Sequence, residues 1–151
     1  INSTAYIRIP FLATNAAPLD FVTLRMQYDD GFVAYLNGVA VAARNAPIAP
    51  AIPAWDSTAT ASHPDMEAIQ FEEFDLTPVA GLVQSGINVL AIHGLNLNAA
   101  DSDFLILPEL HGVGLTSDST TRLYFSTLDG TEVRRLPYDM PALWATPELL
   151  P

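Results

Sequence analysis

The chain has 151 residues, half of them hydrophobic, and a mean hydropathy of +0.25. This composition excludes a largely disordered chain and supplies enough apolar side chains for one domain with a substantial core. Acidic residues outnumber basic ones 17 to 6, for a net charge of -11, and six arginines without any lysine do not easily form the basic surface that nucleic acids or anionic membranes require. No apolar run approaches the ~18 residues of a membrane span. The absence of cysteine excludes disulfides and thiol chemistry.

Alternating and continuous apolar runs predict a protein made mostly of β-strands. Residues 5–11 alternate, and Pro10 predicts that this strand lies at a sheet edge, because proline cannot donate a ladder hydrogen bond. Residues 22–28 also alternate, which is typical of a strand with one solvated face. Further strands are predicted over residues 32–36, 39–42, 69–76, 87–93 and 104–110.

Turn and cap signals divide these strands. Asn37-Gly38 lies between two apolar runs and predicts a hairpin with a type I′ turn, since that turn needs positive φ at both central residues. One short helix is predicted further along the chain. Its signals are Thr77 as N-cap, Pro78 in the first turn and Gly86 as a left-handed stop.

Many strands, one helix and polar loops at strand ends predict an all-β fold, an antiparallel β-sandwich of the jelly-roll type. The loops at 45–64 and 96–103 are candidates for function, as loops of this kind often are. The composition changes after about Gly114, so residues 1–114 are predicted to form the module. Residues 115–151 are predicted to form a β-hairpin and a proline-rich extended tail, which packs on the module or on a neighbouring domain.

Two stretches resemble galactose-binding-like jelly rolls. Residues 28–38 match their DDG…NG segment, and residues 74–78 with 86–92 resemble a stretch familiar from the sandwich domain of family 2 glycoside hydrolases. With residues 102–106 added, the chain is similar to jelly-roll modules of large secreted modular bacterial proteins. The resemblance covers roughly residues 5–112. It implies a galactose-binding-like module of an extracellular or cell-surface protein, whose export signal lies upstream of this sequence.

The same motifs also have a structural explanation. The carboxylates of Asp29 and Asp30 can accept backbone N–H groups at a strand junction, where Gly31 would supply an unusual φ. Asn88, between a turn glycine and an apolar strand, can satisfy loop backbone groups through Asx hydrogen bonds. Neither explanation requires a ligand.

The sequence predicts a protein that is not an enzyme. Glu72 and Glu73 are neighbours on a strand, so their side chains point to opposite faces and do not form the carboxylate pair of a glycosidase. No G-x-S-x-G elbow, P-loop or dinucleotide fingerprint occurs. A hydrolase is kept as the remote alternative.

Polar and aromatic side chains in the loops predict a glycan-binding site at one end of the sandwich. Trp55 suits stacking on a sugar, and the carboxylate of Asp56 suits its hydroxyls. The alternative is a tryptophan that pins the proline-rich loop to the sandwich. Amides and a guanidinium suit bidentate recognition of hydroxyls or carboxylates. The predicted ligand-binding residues are Asp30, Arg44, Asn45, Trp55, Asp56, His93, Asn96 and Asn98.

A structural calcium ion is the one predicted cofactor. Its predicted ligands are Asp29, Asp101 and Asp103, because oxygen-rich loops suit a hard cation. Their spacing is not that of an EF-hand, and turn capping by the carboxylates is the alternative. The histidines lack the spacing of a zinc site; they are His63, His93 and His111.

The leading functional prediction is a carbohydrate-binding or adhesion module of a larger exported protein. The main alternative is a structural or assembly module of a surface layer, filament or scaffold. Apolar residues in the proline-rich end favour that alternative, since they need a partner surface; they are Leu143, Trp144, Leu149 and Leu150. The predicted partners are a polysaccharide or glycan and neighbouring domains or surface proteins, with no nucleic acid and no membrane span.

Overall fold

The computed structural model describes residues 3–14, 19–47 and 53–114, and the backbone of residues 122–126, 133–135 and 148–149. The strands of these residues confirm the predicted all-β sandwich of antiparallel sheets. They are β1 (Thr4–Ala13), β2 (Phe21–Asp29), β3 (Gly31–Leu36), β4 (Val39–Arg44), β5 (Glu72–Asp75), β6 (Gly86–Leu95), β7 (Leu105–Gly114), β8 (Arg122–Ser126), β9 (Val133–Arg135) and β10 (Glu148–Leu149). A one-turn helix, α1 (Asp65–Ala68), and a 3-10 helix (Thr77–Leu82) lie on either side of β5.

The strands form a four-stranded sheet in the order β1-β6-β3-β4 and a six-stranded sheet in the order β10-β9-β8-β7-β2-β5. β1 is an edge strand, as Pro10 predicts. β8 and β9 pair antiparallel where the second hairpin is predicted, and the backbone of β8 extends the six-stranded sheet along β7. The side chains of the apolar tail residues Leu143, Trp144, Leu149 and Leu150 lie outside the described residues.

The main core lies between the facing sides of the two sheets. The alternation predicted for β2 is confirmed, because Val22, Leu24 and Met26 are fully buried between partly exposed neighbours. Leu90 and Ile92 of β6 complete the opposite wall. Each such side chain contributes about 1.5–3 kcal/mol when it is removed from water, so this apolar layer determines how the sheets face each other.

A second, smaller apolar cluster lies on the outer side of the four-stranded sheet. Val33 and Leu95 are buried there against two alanines of the long loop, Ala46 and Ala59. The loop is tied down by backbone hydrogen bonds from Ala59 N to Asn96 O and from Thr60 N to Asn45 O, each 2.8 Å long. Part of this predicted loop therefore covers the sheet.

The Asn37-Gly38 turn has the predicted conformation, with φ of 50° at Asn37 and 87° at Gly38. Asn88 is fully buried and fully hydrogen-bonded, as its predicted role requires. Its amide donates to Gln84 O at 2.7 Å and to Gly86 O at 3.0 Å. Its Oδ1 accepts Gln84 N and Asn37 Nδ2, both at 2.8 Å. The turn and the start of β6 thus form one polar network.

The structure corrects the predicted helix. The segment is a 3-10 helix, and Thr77 does not cap it. Instead, Thr77 Oγ1 accepts Val22 N at 3.2 Å and ties the segment to β2, while Asp75 accepts Thr77 N at 2.9 Å. Gly86 has a φ of 98° but begins β6. The strand predicted over residues 69–76 is shorter than expected: β5 spans Glu72–Asp75, because Ile69 caps α1 and residues 69–71 connect the helix to the strand.

The structure also corrects the prediction that Gly31 supplies an unusual φ. Its φ does not lie in the left-handed region, where Gly38 and Gly86 lie. A Cβ atom at Gly31 would lie 2.7 Å from Asn45 O and 2.9 Å from Arg44 O. The glycine therefore allows close approach of two backbone segments at the start of β3.

We expect Gly38→Ala to lower the free energy of unfolding by about 1 kcal/mol, because an L-residue at this positive φ is strained. Gly81→Ala is the matched control, since a Cβ atom meets open space at both glycines and only Gly38 has positive φ. Urea denaturation of the two variants measures the difference. Equal effects of the two substitutions would contradict the turn assignment.

Candidate functional site

The loop that carries Trp55 is fixed to the start of β1. Thr4 Oγ1 donates to Trp55 O at 2.6 Å, and Ser3 Oγ donates to Ser57 O at 3.0 Å. The Trp55 residue is nevertheless 67% exposed. The loop is thus anchored by its backbone and by the buried Ala59. This favours the prediction that Trp55 stacks on a sugar over the alternative that Trp55 pins the loop to the sandwich.

A second exposed aromatic side chain lies two positions along β1 from Thr4. Tyr6 is 63% exposed and stacks on His93, with ring centroids 4.3 Å apart and planes at 25°. His93 is buried beneath it, and among the described residues its Nε2 has no hydrogen-bond partner. Burial lowers the pKa of His93, because the charged imidazolium is poorly solvated there. A neutral imidazole therefore supports the Tyr6 ring.

The outer face of the four-stranded sheet continues past these rings. Ala91 of β6 pairs in register with Arg8 of β1 on one side and Tyr35 of β3 on the other. Burial raises the pKa of Tyr35, and the charge of a nearby Tyr6 phenolate would raise it further. The two phenol groups are therefore neighbours on this face.

Asp30, a predicted ligand-binding residue, is buried and holds two loops. Its Oδ1 accepts His63 N at 3.0 Å, and its Oδ2 accepts Leu97 N at 2.6 Å. Its backbone carbonyl accepts the side-chain amide of Asn45 at 2.9 Å. This confirms the predicted capping role for Asp30. Both residues act on the backbone around the candidate site and do not face outward.

Three further predicted side chains also have protein partners. Arg44 Nε donates to Glu72 Oε1 at 2.7 Å, and its guanidinium lies 4.6 Å from the centre of the Phe74 ring. Asn96 Nδ2 donates to the backbone carbonyl of Asp103 at 2.8 Å, and Asn98 Oδ1 accepts Ala100 N at 2.9 Å. Of the predicted ligand-binding residues, the structure brings the backbone of Trp55 and Asp56, together with His93, next to the first residues of β1.

An acidic cluster lies where β2 ends. Carboxylate oxygens of Asp29, Asp65 and Asp103 lie within 4.8 Å of one another. Asp29 is only 7% exposed. Burial raises its pKa to about 6, with further contributions from a hydrogen bond with Asp30 and from the surrounding negative charges. Asp101 borders the cluster through Asp103, which raises the pKa of Asp101 by a hydrogen bond.

Sequence reasoning missed Tyr6, Tyr35 and Asp65. A signal existed for Tyr6, because it occupies a solvent-facing position in the alternation of residues 5–11. For Asp65 no local signal exists, because α1 reaches Asp29 and Asp103 only through the tertiary fold.

Comparison of the chain with protein-family models, with curated proteins and with solved structures gives no match in any of the three. The resemblance to galactose-binding-like modules therefore stays a prediction. Within the described residues, no helix has the length and apolarity needed to cross a membrane.

The depressed pKa of His93 predicts a pH-dependent loss of stability. The unfolded chain takes up a proton at His93 below about pH 6.5, whereas the folded chain resists it, so stability falls as the pH is lowered through this range. We expect the wild type to lose more free energy of unfolding between pH 7.5 and pH 5 than His93→Phe does. Urea denaturation at each pH measures this, and parallel pH profiles for the two proteins would disprove the effect.

Proposed function

We propose that this chain is a non-catalytic carbohydrate-binding or adhesion module of the galactose-binding-like type, within a larger exported or cell-surface protein. One observation carries the proposal: Trp55 and Tyr6 are about two-thirds exposed at one end of the outer face, although the backbone beneath them is fixed. Exposed aromatic rings stack on the C–H faces of sugars, and stiff side chains lose little entropy on binding.

The surroundings of the two rings support this proposal. Thr4 ties the Trp55 backbone to the strand that carries Tyr6, so the two rings are held on connected backbone. Preorganisation of this kind increases affinity because less freedom is lost on binding. Asp56 is exposed next to Trp55, and a carboxylate accepts hydrogen bonds from sugar hydroxyls. The proposed contact residues are Tyr6, Trp55 and Asp56, and His93 supports Tyr6.

An assembly module is the second candidate, and one observation favours it. At the far end of the same outer face, Leu12 of β1 and Ile87 of β6 are paired in register, and both are exposed. Adjacent exposed aliphatic side chains favour protein contacts. The partner under this alternative is a neighbouring domain or a second surface protein.

The Trp55→Ala variant tests the carbohydrate proposal. We expect affinity for the bound polysaccharide to fall at least about tenfold while the free energy of unfolding changes by less than about 1 kcal/mol, because an exposed ring adds little to the core. Affinity electrophoresis against galactan, xylan, β-glucan and polygalacturonate measures binding, and thermal melts measure stability.

Phe21→Ala is the matched control, since Phe21 is an exposed aromatic residue on the other sheet. It should leave binding unchanged. A loss of about 3–5 kcal/mol in Trp55→Ala with binding retained would identify a structural pin. No binding to any polysaccharide, combined with self-association in sedimentation, would favour the assembly module.

We also propose that Asp29, Asp65 and Asp103 bind a calcium ion. Asp30 has both carboxylate oxygens bonded to backbone N–H groups, whereas the proximity of Asp30 and of the other carboxylates adds to the burial that raises the pKa of Asp29. Among the described residues Asp29 forms no ion pair, and a buried carboxylate is costly without a positive partner. Hard oxygen ligands suit calcium, which would join β2, α1 and the loop before β7.

Thermal melts with calcium test this site. We expect millimolar CaCl₂ to raise the melting temperature of the wild type, since a ligand at 100 times its Kd stabilises the folded state by about 2.7 kcal/mol. Asp29→Asn should lose this calcium-dependent shift. In EDTA the variant should be at least as stable as the wild type, because one buried like charge is removed. An equal shift in both proteins, or the same shift with NaCl of matched ionic strength, would contradict the proposed ligands.

A further inference from the structure

The centre of the outer face is a row of three residues across three strands. Arg8, Ala91 and Tyr35 lie in register on β1, β6 and β3. They point away from the core, because the alternate positions Ile9 and Ile92 pack into it. The short side chain of Ala91 therefore leaves a depression between the longer side chains of Arg8 and Tyr35.

Arg8 differs from the other arginines whose side chains the structure describes. Arg25 pairs with Glu73 and Glu109, and Arg44 pairs with Glu72. Within the described part of the chain, Arg8 has no ion pair, although acidic residues outnumber basic ones 17 to 6.

Among the described residues, the outward positions of β1 and β6 next to Arg8 hold no carboxylate. The outward positions of β1 and β6 at the centre of the face are held by tyrosine, proline, valine, alanine and histidine. The exposed carboxylate of Asp56 lies beside Trp55, near the start of β1, and Arg8 has no ion pair with it or with any other described carboxylate. A cation without a carboxylate partner is complementary to an anionic ligand. Arg8 is therefore available to a carboxylate supplied by a binding partner.

We propose that the outer face binds an acidic saccharide, with a uronate carboxylate on the Arg8 guanidinium and the sugar ring against Tyr6 and Tyr35. This inference rests on the proposed carbohydrate-binding function and names its ligand class. A guanidinium binds a carboxylate through two parallel hydrogen bonds. Tyr6 lies two residues from Arg8 on the same side of β1, a spacing of about 6.6 Å, which matches one sugar ring beside its own carboxylate.

The aromatic residues favour a saccharide over other anions. The Trp55 backbone is bonded to Thr4, two residues before Tyr6, and the exposed Trp55 ring is a candidate stacking partner for a second sugar ring. A small inorganic anion would use Arg8 alone and leave these rings without a function. The net charge of -11 opposes any anionic ligand at long range, and salt screens that repulsion together with the local attraction. Variants are therefore a sharper test than ionic strength.

The test compares polygalacturonate with its methyl-esterified form, which has the same rings without the carboxylate charge. We expect the full chain to bind the acid form about tenfold more tightly in affinity electrophoresis, the size of effect that one charged hydrogen-bonded pair supports. Arg8→Gln should abolish this preference and keep the affinity for the ester. Arg25→Gln is the control: it changes net charge equally but lies on the six-stranded sheet, and it should keep the preference.

The remaining outcomes separate this inference from the proposed function. Equal binding of acid and ester by the wild type, or a preference that survives Arg8→Gln, would overturn the inference and leave carbohydrate binding intact. Loss of the preference in Arg25→Gln as well would show a general charge effect and also overturn it. No binding of either form, or of galactan, xylan and β-glucan, would overturn both proposals.

Discussion

The buried carboxylate of Asp30 accepts the backbone N–H of His63 on one oxygen and that of Leu97 on the other. Those two residues belong to the two loops that frame the candidate sites. The first loop carries Trp55, and the second carries Asp103. Charge-assisted bonds of this kind are roughly twice as strong as neutral ones, and removal of the carboxylate would leave two N–H groups unsatisfied. Both candidate sites therefore depend on the position of one side chain at the β2–β3 junction.

Adjacent carboxylates at this junction have different chemical surroundings. Asp30 is satisfied by backbone donors, whereas Asp29 faces Asp65 and Asp103. Hydrogen bonds to Asp30 hold the two loops at this junction. Burial at the same junction raises the pKa of the neighbouring Asp29 to about 6. The local sequence motif contributes a structural anchor in one residue and a candidate ligand for a cation in the next. The capping role, which the sequence presents as the alternative to metal binding, thus belongs to Asp30, and Asp29 is the member of the pair that the calcium proposal uses.

Sequence reasoning predicted the features that depend on local chemistry. The alternation of β2 and the positive φ values at Asn37-Gly38 follow from neighbouring residues, and the structure has both. The prediction that Thr77 caps a helix was wrong, because the Thr77 hydroxyl instead accepts the backbone N–H of Val22. Val22 is distant in sequence, so no local pattern encodes this contact. The exposure of Trp55 was likewise undecided, since it depends on hydrogen bonds from the start of β1 to a loop some fifty positions away. The sequence therefore predicted the types of residue in the candidate site. It did not predict which of those residues the fold brings together.

The position of β1 determines how the outer face can be used. β1 is an edge strand, and an edge strand normally offers its free backbone groups to another strand. Pro10 lies in the middle of β1 and lacks the N–H that such pairing needs, which disfavours growth of the sheet at this edge. We therefore expect a binding partner to contact the side chains on the outer face of the four-stranded sheet rather than the backbone of β1. There, Tyr6 and Arg8 offer a stacking surface with a cation at one end, and Leu12 offers an aliphatic contact at the other. Glycan binding and module assembly would use different ends of the same strand, so one does not exclude the other.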